Sequence, residues 1–311
     1  MPRKIISASR RNDIPAFYSK WFLRRLEAGY CDWIHPFNGQ LKRVSLCADD
    51  CLAIVFWTRN PAPLFPALRD LDAAGYCYYF HFTVTGYSRP LESHNPMLNV
   101  TLKRLRKLAD RVGPERVIWR YDPVVVSSCT PAVFHREQFA RIAGKIDGAV
   151  RHVYFSFVDH YGKTRRHFAK LSRERGIGFR EPEAGERWEL VARLRDTAAR
   201  HDMTLHACCE DALVRDGIEK GHCVDLEAVR RLRSDVDEQL DRRPTREQCG
   251  CTESVDIGAY DTCPFGCSYC YATRDRETAL ARLREHRVAD TVVWRPPRLR
   301  TGPMAVPREL V

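Results

Sequence analysis

The alternation of short apolar runs with helical patterns constrains the fold of this chain more than any other sequence feature. Runs rich in β-branched and aromatic residues, typical of buried strands, cover residues 4–9, 52–57, 77–85, 116–121, 153–158, 204–208 and 254–260. Apolar residues at helical spacing separate most of these runs, and Asn38-Gly39 predicts a hairpin turn between residues 32–35 and 42–46. Strands that alternate with helices form parallel sheets with right-handed crossovers.

This pattern predicts one α/β domain over residues 1–311. A TIM-like (β/α) barrel, closed or nearly closed, accommodates seven or eight such strands in a chain of this length. An open doubly wound sheet is the alternative, although no Gly-x-Gly-x-x-Gly follows any predicted strand. No linker divides the chain, but residues 208–271 are rich in cysteine and residues 295–311 form a tail rich in proline and arginine.

Three cysteines lie within eight residues, directly after the last predicted strand: Cys263, Cys267 and Cys270. We call residues 263–270 the cysteine loop; Pro264 and Gly266 are expected to bend it sharply. Structural zinc usually takes its ligands in two separated pairs. Close-set thiolates are typical of iron–sulfur clusters, so this unpaired spacing favours one face of such a cluster.

A second group of cysteines precedes the loop: Cys208, Cys209, Cys223, Cys249 and Cys251, called here the second cysteine set. Gly250 is a flexible spacer that lets Cys249 and Cys251 turn toward one metal. With Cys209 and Cys223 they predict a second site, either an auxiliary [4Fe–4S] cluster or a tetrahedral zinc. Cys208 is the alternative to Cys209, because the strand period places the two on opposite faces. Buried thiols without a metal are the competing interpretation.

Polar side chains follow the predicted strands at the end where parallel barrels and sheets place their functional sites. Each of them alone is also explained as a helix cap or a surface loop residue. A whole ring of them facing one cysteine loop favours function. The strand-end candidates for catalysis are Arg10, Arg11, Asp13, Arg59, Arg120, Asp122, Asp159, His160 and His206.

Composition limits the cellular compartment and the kinds of binding partner that we expect for this protein. No apolar run approaches the roughly 20 residues of a membrane span, and the first residues lack the apolar stretch of a signal peptide. Thirteen cysteines then indicate reduced thiols, so we expect a cytoplasmic protein with no membrane partner. The net charge of +11 hints at an anionic partner such as nucleic acid, but the arginines are scattered and form no stripe interleaved with aromatics.

The cysteine spacing, with Tyr269 just before the third cysteine, resembles the radical S-adenosylmethionine (SAM) signature. In that family the cluster loop follows the first barrel strand, whereas here it follows the last. The chain is therefore similar to a circularly permuted radical SAM barrel. Stretches at 9–15, 56–61, 119–123 and 256–260 resemble the DUF1848 type, a family with a C-terminal cysteine cluster of this kind.

This resemblance implies cofactors and residue roles. Cys263, Cys267 and Cys270 would hold three irons of a [4Fe–4S] cluster, whose fourth iron binds the amine and carboxylate of SAM, and Tyr269 would lie close to the adenine. With an electron from a donor such as a flavodoxin or ferredoxin, the cluster would cleave SAM to a 5′-deoxyadenosyl radical. That radical would abstract hydrogen from a substrate that the resemblance does not identify. A Gly-Gly-Glu-like motif for the SAM amine is not evident in the sequence.

Two other functions fit parts of the sequence. One is a non-catalytic iron–sulfur or zinc protein that binds nucleic acid through a basic surface, which the scattered basic residues weaken. The other is a hydrolytic barrel enzyme that uses Asp122, His160 or His206, with structural cysteines. The sequence contains neither a metal-binding histidine pair nor a nucleophile elbow, and this disfavours hydrolysis.

Overall fold

Within residues 3–36 and 38–299, which the computed structural model describes, eight of ten strands form one parallel sheet. In chain order the strands are β1 (Lys4–Ala8), β2 (Tyr30–Ile34), β3 (Leu41–Ser45), β4 (Cys51–Thr58), β5 (Tyr78–Thr83), β6 (Val117–Arg120), β7 (His152–Phe155), β8 (Thr204–Ala207), β9 (Glu219–Lys220) and β10 (Val255–Asp256). The spatial order is β10-β1-β4-β5-β6-β7-β8-β9. β2 and β3 pair antiparallel, as the hairpin prediction requires.

Helices connect most of the parallel strands. They are α1 (Ile14–Phe17), α2 (Ser19–Glu27), α3 (Leu68–Ala73), α4 (Leu98–Val112), α5 (Ala132–Lys145), α6 (Gly162–Arg175), α7 (Ala184–Ala199), α8 (Leu226–Leu232) and α9 (Arg276–Glu285). Local signals set their boundaries: Asp13 caps α1 by accepting a hydrogen bond from the Ala16 amide at 2.9 Å. In α4 the buried Leu102, Leu105 and Leu108 recur at helical spacing. No helix in the described part of the chain is long and apolar enough to cross a lipid bilayer.

The predicted α/β class and parallel sheet are confirmed, but the sheet is not a closed barrel. β9 and β10 are its two edges, and no ladder joins them within the described residues. The predicted strand over 254–260 is also too long. Its ladder with β1 ends at Asp256, since the Gly258 amide donates to the Asp256 carboxylate at 3.0 Å and turns the chain. Residues 300–311 of the predicted tail lie outside the described residues.

Both faces of the sheet are buried. Side chains such as Ile54 and Phe80 pack with the surrounding helices in the larger apolar core. Val55 and Tyr79, their neighbours along the strands, point to the opposite side, because successive residues of a strand alternate. Ile5 of β1 points to the same side, which we call the inner face. The inner face packs against part of α8 and the second cysteine set, of which Cys208, Cys223 and Cys251 are buried and Cys209 and Cys249 partly buried.

We predict that His135 makes stability depend on pH. Its ring is fully buried and bonded to the Tyr121 hydroxyl and the Val125 carbonyl, both at 3.0 Å. Burial lowers the pKa of His135 to about 4, against about 6.5 in an unfolded chain. The buried neutral ring therefore adds its full contribution to the free energy of unfolding above pH ~6.5. As the pH falls toward ~4, the free energy of unfolding decreases by about 3 kcal/mol, because the unfolded chain binds a proton that the folded protein excludes.

Urea unfolding at pH 7.5 and 4.5 measures this effect. In His135→Gln the loss of stability between the two pH values should be smaller than in the wild type by about 2.5 kcal/mol. Equal losses in the two proteins would contradict the assignment to His135.

Candidate functional site

The cysteine loop opens onto a large cavity at the carboxyl ends of the parallel strands. Cys263, Cys267 and Cys270 all line this cavity, whose volume is about 1220 Å³. Residues at or just after the ends of β1, β4, β5, β6, β7 and β8 also line it. This edge is where parallel α/β proteins place their sites, because the strand ends and the loops that follow them converge there.

The three thiols of the loop suit a metal–sulfur centre by their chemistry. All three are free. Burial raises the pKa of Cys267 to about 12 and that of Cys263 well above the ordinary thiol value. Thiolates in such a site need a positive partner, which iron would supply. Among the described residues no three His, Cys, Asp or Glu side chains stand in the geometry of a bound ion, so ligation requires these side chains to rotate.

Backbone contacts with the segment after β5 hold the cysteine loop in place. Cys267 pairs with Glu92 in an isolated antiparallel bridge, and the Ser268 amide donates to the Leu91 carbonyl at 2.9 Å. Gly266 adopts a φ of 71°, and a Cβ there would lie 2.6 Å from the Ser93 hydroxyl oxygen. Only glycine fits this close approach. These contacts fix the backbone of the cysteine loop against the segment after β5.

A buried charge network joins the loop to the sheet. Arg59 donates to the Glu92 carboxylate at 2.8 Å and also to the Tyr269 hydroxyl. The same carboxylate accepts from the hydroxyls of Thr85 and Tyr269. Burial opposes the charge of Arg59, but Glu92 together with Tyr269 and the thiols of Cys267 and Cys263 outweighs it and holds the pKa of Arg59 well above its ordinary value. The sequence gives no signal for Glu92, which follows no predicted strand end directly.

We predict that Glu92→Gln lowers the free energy of unfolding by about 3 kcal/mol, because it leaves the Arg59 guanidinium buried without a counter-charge. Urea denaturation at pH 7 measures this value. Glu181→Gln is the matched control, since that side chain is 63% exposed and pairs only loosely. Its cost should stay under about 0.5 kcal/mol. Equal losses in the free energy of unfolding for Glu92→Gln and Glu181→Gln would show that the buried charge network stabilises the fold no more than an exposed ion pair does.

Asp256 of β10 joins the segment that precedes the cysteine loop to the end of β1. Its carboxylate accepts from the hydroxyls of Ser7 and Ser9 at 2.9 and 2.6 Å, and from the amides of Arg10 and Gly258 at 2.8 and 3.0 Å. Asp256 lies inside the predicted strand over 254–260, where no sequence pattern marks its role. Its importance depends on the pairing of β10 with β1, about 250 residues away in the chain.

Seven of the nine strand-end candidates line the cavity: Arg10, Arg11, Asp13, Arg59, Arg120, Asp122 and Asp159. His160 and His206 are not among the lining residues. His160 lies 3.6 Å from the Glu181 carboxylate, and His206 is bonded to the His152 ring at 3.0 Å. Asp13 also has a structural part, because it caps α1 and accepts from the Arg59 amide at 2.7 Å. Burial raises the pKa of Asp13 to about 7.

The second cysteine set lines the same cavity. All five members contribute to it, so Cys208 and Cys209 do not lie on opposite sides as the strand period predicts. The physical reason is that β8 ends at Ala207, and Cys209 takes a left-handed backbone conformation with φ of 58°. Arg120 donates to the Cys223 sulfur at 3.0 Å and to Asp122 at 2.6 Å.

The chain matches one protein-family model, described as a domain of unknown function (DUF1848), over residues 5–272. The chain belongs to the DUF1848 family. No curated protein matches it. The matched region contains both cysteine groups and ends two residues after Cys270, so nearly the whole cavity is built from the DUF1848 domain.

Proposed function

We propose that this DUF1848 protein is a radical SAM enzyme. Cys263, Cys267 and Cys270 would hold a [4Fe–4S] cluster, and SAM would bind beside it in the cavity. The observation that carries the proposal is the position of three free thiols, at this spacing, on one loop that lines a cavity at the strand ends. The cluster and SAM together supply a 5′-deoxyadenosyl radical that abstracts hydrogen from substrate.

The strand order supports a circularly permuted barrel. β10, the last strand in sequence, lies beside β1, the first. In the proposed relation β10 corresponds to the strand that begins an unpermuted radical SAM barrel, and the cysteine loop follows it. The finer description as a TIM-like barrel open between β9 and β10 rests on this correspondence.

Residues of this chain would bind the cofactor and exclude water. Tyr269 lines the cavity, and its hydroxyl is fixed by Arg59 and Glu92, so its ring is held ready to pack against the adenine. Seven strand-end side chains surround the space where a substrate would meet the cofactor. An external donor such as a flavodoxin or ferredoxin would deliver the electron.

The charge of the cavity favours an anionic substrate. Eleven lysines and arginines line it, against five aspartates and glutamates. Such an excess raises the local concentration of anions. The same excess would suit the alternative function, a non-catalytic metalloprotein that binds nucleic acid through this basic surface.

Anaerobic SAM cleavage tests the proposal and separates it from that alternative. The protein is reconstituted with iron and sulfide, reduced with dithionite and incubated with SAM, and we expect methionine and 5′-deoxyadenosine in equal amounts. A parallel reaction contains a cell extract as a source of substrate. If protein with a full cluster forms neither product in either reaction, the enzyme proposal fails and the non-catalytic alternative is favoured.

A further inference from the structure

We propose that Cys209, Cys223, Cys249 and Cys251 bind a single tetrahedral metal ion of the zinc type. This site would be separate from the cysteine loop, and it would close the open side of the sheet. The inference does not depend on radical SAM activity.

The contacts among these sulfurs suit one ion better than a cluster. All five thiols of the second cysteine set line one cavity, and the Cys208 and Cys223 sulfurs lie 3.2 Å apart. Hydrogen bonding with Cys209 and Cys251 lowers the pKa of Cys249, and hydrogen bonding with Cys223 and Cys249 raises the pKa of Cys251. Four thiolates on one zinc, with bonds of about 2.3 Å, lie only about 3.8 Å apart. In a cubane each cysteine binds a different iron, so its sulfurs stand farther apart.

The cysteine loop differs in this respect. The Cys267 thiol donates to the Asn95 side-chain oxygen at 3.6 Å and not to another thiol. The second cysteine set, in which the sulfurs of Cys208 and Cys223 contact each other, is the candidate for a mononuclear centre.

Two buried arginines provide the charge that such a centre requires. A zinc ion with four thiolates carries a net charge of −2. Arg120 donates to the Cys223 sulfur at 3.0 Å, and Arg10 interacts electrostatically with Cys223 and Cys251. The Nη1 atom of Arg10 is buried and has no hydrogen-bond partner. Both guanidinium groups also face a carboxylate, Asp122 at 2.6 Å from Arg120 and Asp256 at 3.9 Å from Arg10. Ligand sulfurs are commonly stabilised by donors of this kind.

The backbone selects Cys209 over Cys208 as the fourth ligand. Cys208 continues the sheet, since its amide donates to the Phe155 carbonyl at 2.8 Å. Cys209 lies on the turn after β8 with a left-handed backbone, φ of 58°, and its hydrogen bonding lowers the pKa of Cys249. A residue other than glycine adopts this conformation at a cost, and such strain concentrates where a ligand is held.

The position of the site indicates its role. Cys223 follows β9, and Cys249 and Cys251 precede β10, so the ligands belong to the two segments that flank the open edges. A hydrogen bond of 2.9 Å from the Thr252 amide to the Val224 carbonyl already joins these segments. At Gly250 a Cβ would lie 2.5 Å from the His222 ring, so the turn between Cys249 and Cys251 is closely packed. A metal here would fasten β9 to β10 through their loops.

Metal analysis of the full-length chain, expressed with added zinc, tests this proposal. We expect one zinc per chain in the wild type, in Cys208→Ala, in the exposed control Cys129→Ala, and in the triple variant C263A/C267A/C270A. Cys209→Ala and Cys251→Ala should each lose it. Retention of zinc by the triple variant separates this result from the fate of the proposed radical SAM centre.

Cobalt substitution keeps the test valid if a cysteine variant fails to fold. Wild-type protein stripped by a chelator and loaded with Co²⁺ should show the intense visible bands of a tetrahedral thiolate site, at one equivalent. Absence of bound zinc and of these bands would overturn the proposal. So would four irons with acid-labile sulfide that survive in C263A/C267A/C270A. Loss of zinc in Cys208→Ala but not in Cys209→Ala would overturn the ligand assignment.

Discussion

Alanine at Cys263, Cys267 and Cys270 together is expected to remove about four irons per chain from the anaerobically reconstituted protein. Formation of 5′-deoxyadenosine should fall by about three orders of magnitude or more, because the cluster carries the electron that cleaves SAM. Iron and sulfide analysis gives the first value, and chromatography of the reduced reaction mixture gives the second. A single substitution such as Cys267→Ala should have nearly the same effect on activity, since all three ligands hold one cluster.

The matched control is Cys129→Ala, which removes an exposed thiol that does not line the cavity. It should retain wild-type iron content and activity. An unchanged iron content in the triple variant would show that another set of residues holds the cluster. Loss of iron in Cys129→Ala to the same extent would show that reconstitution responds to total thiol content and not to the cysteine loop.

The sequence was sufficient to predict the parallel sheet, because each central strand is a short apolar run that both faces of the sheet bury. It was also sufficient to find the cysteine loop, since its three residues are close together in the chain. The strand-end candidates converge as expected at seven of nine positions. All of these predictions rest on residues that are close together in the sequence.

The missed features depend on contacts between distant segments. Glu92 acts through Arg59 and Tyr269, which lie 33 and 177 residues away in the chain. The shared orientation of Cys208 and Cys209 depends on one left-handed residue that has no glycine to mark it. Closure of the sheet was expected from strand number alone, but closure requires the two edge strands to be long enough to pair. β9 and β10 have only two residues each.

Asp256→Ala is expected to lower the free energy of unfolding by about 4 kcal/mol. The substitution removes the acceptor of four hydrogen bonds, and each buried donor left without a partner costs about 1–3 kcal/mol, with part of this recovered when water enters. Asp256→Asn should cost about half as much, because one oxygen remains while the new amide group faces existing donors. Urea denaturation followed by circular dichroism gives both values.

Asp237→Asn is the control that shows whether the loss of stability is specific to the hydrogen bonds of Asp256. Asp237 is 97% exposed and lies 3.9 Å from Arg3, so its substitution should cost under about 0.5 kcal/mol. Asp256 joins Ser7 of β1 and Ser9, which directly follows β1, to the segment that leads into the cysteine loop. Its loss should therefore also reduce the iron that the loop retains, in parallel with stability. A stable Asp256→Ala protein with full iron content would show that strand pairing alone positions the loop, and that the carboxylate is dispensable.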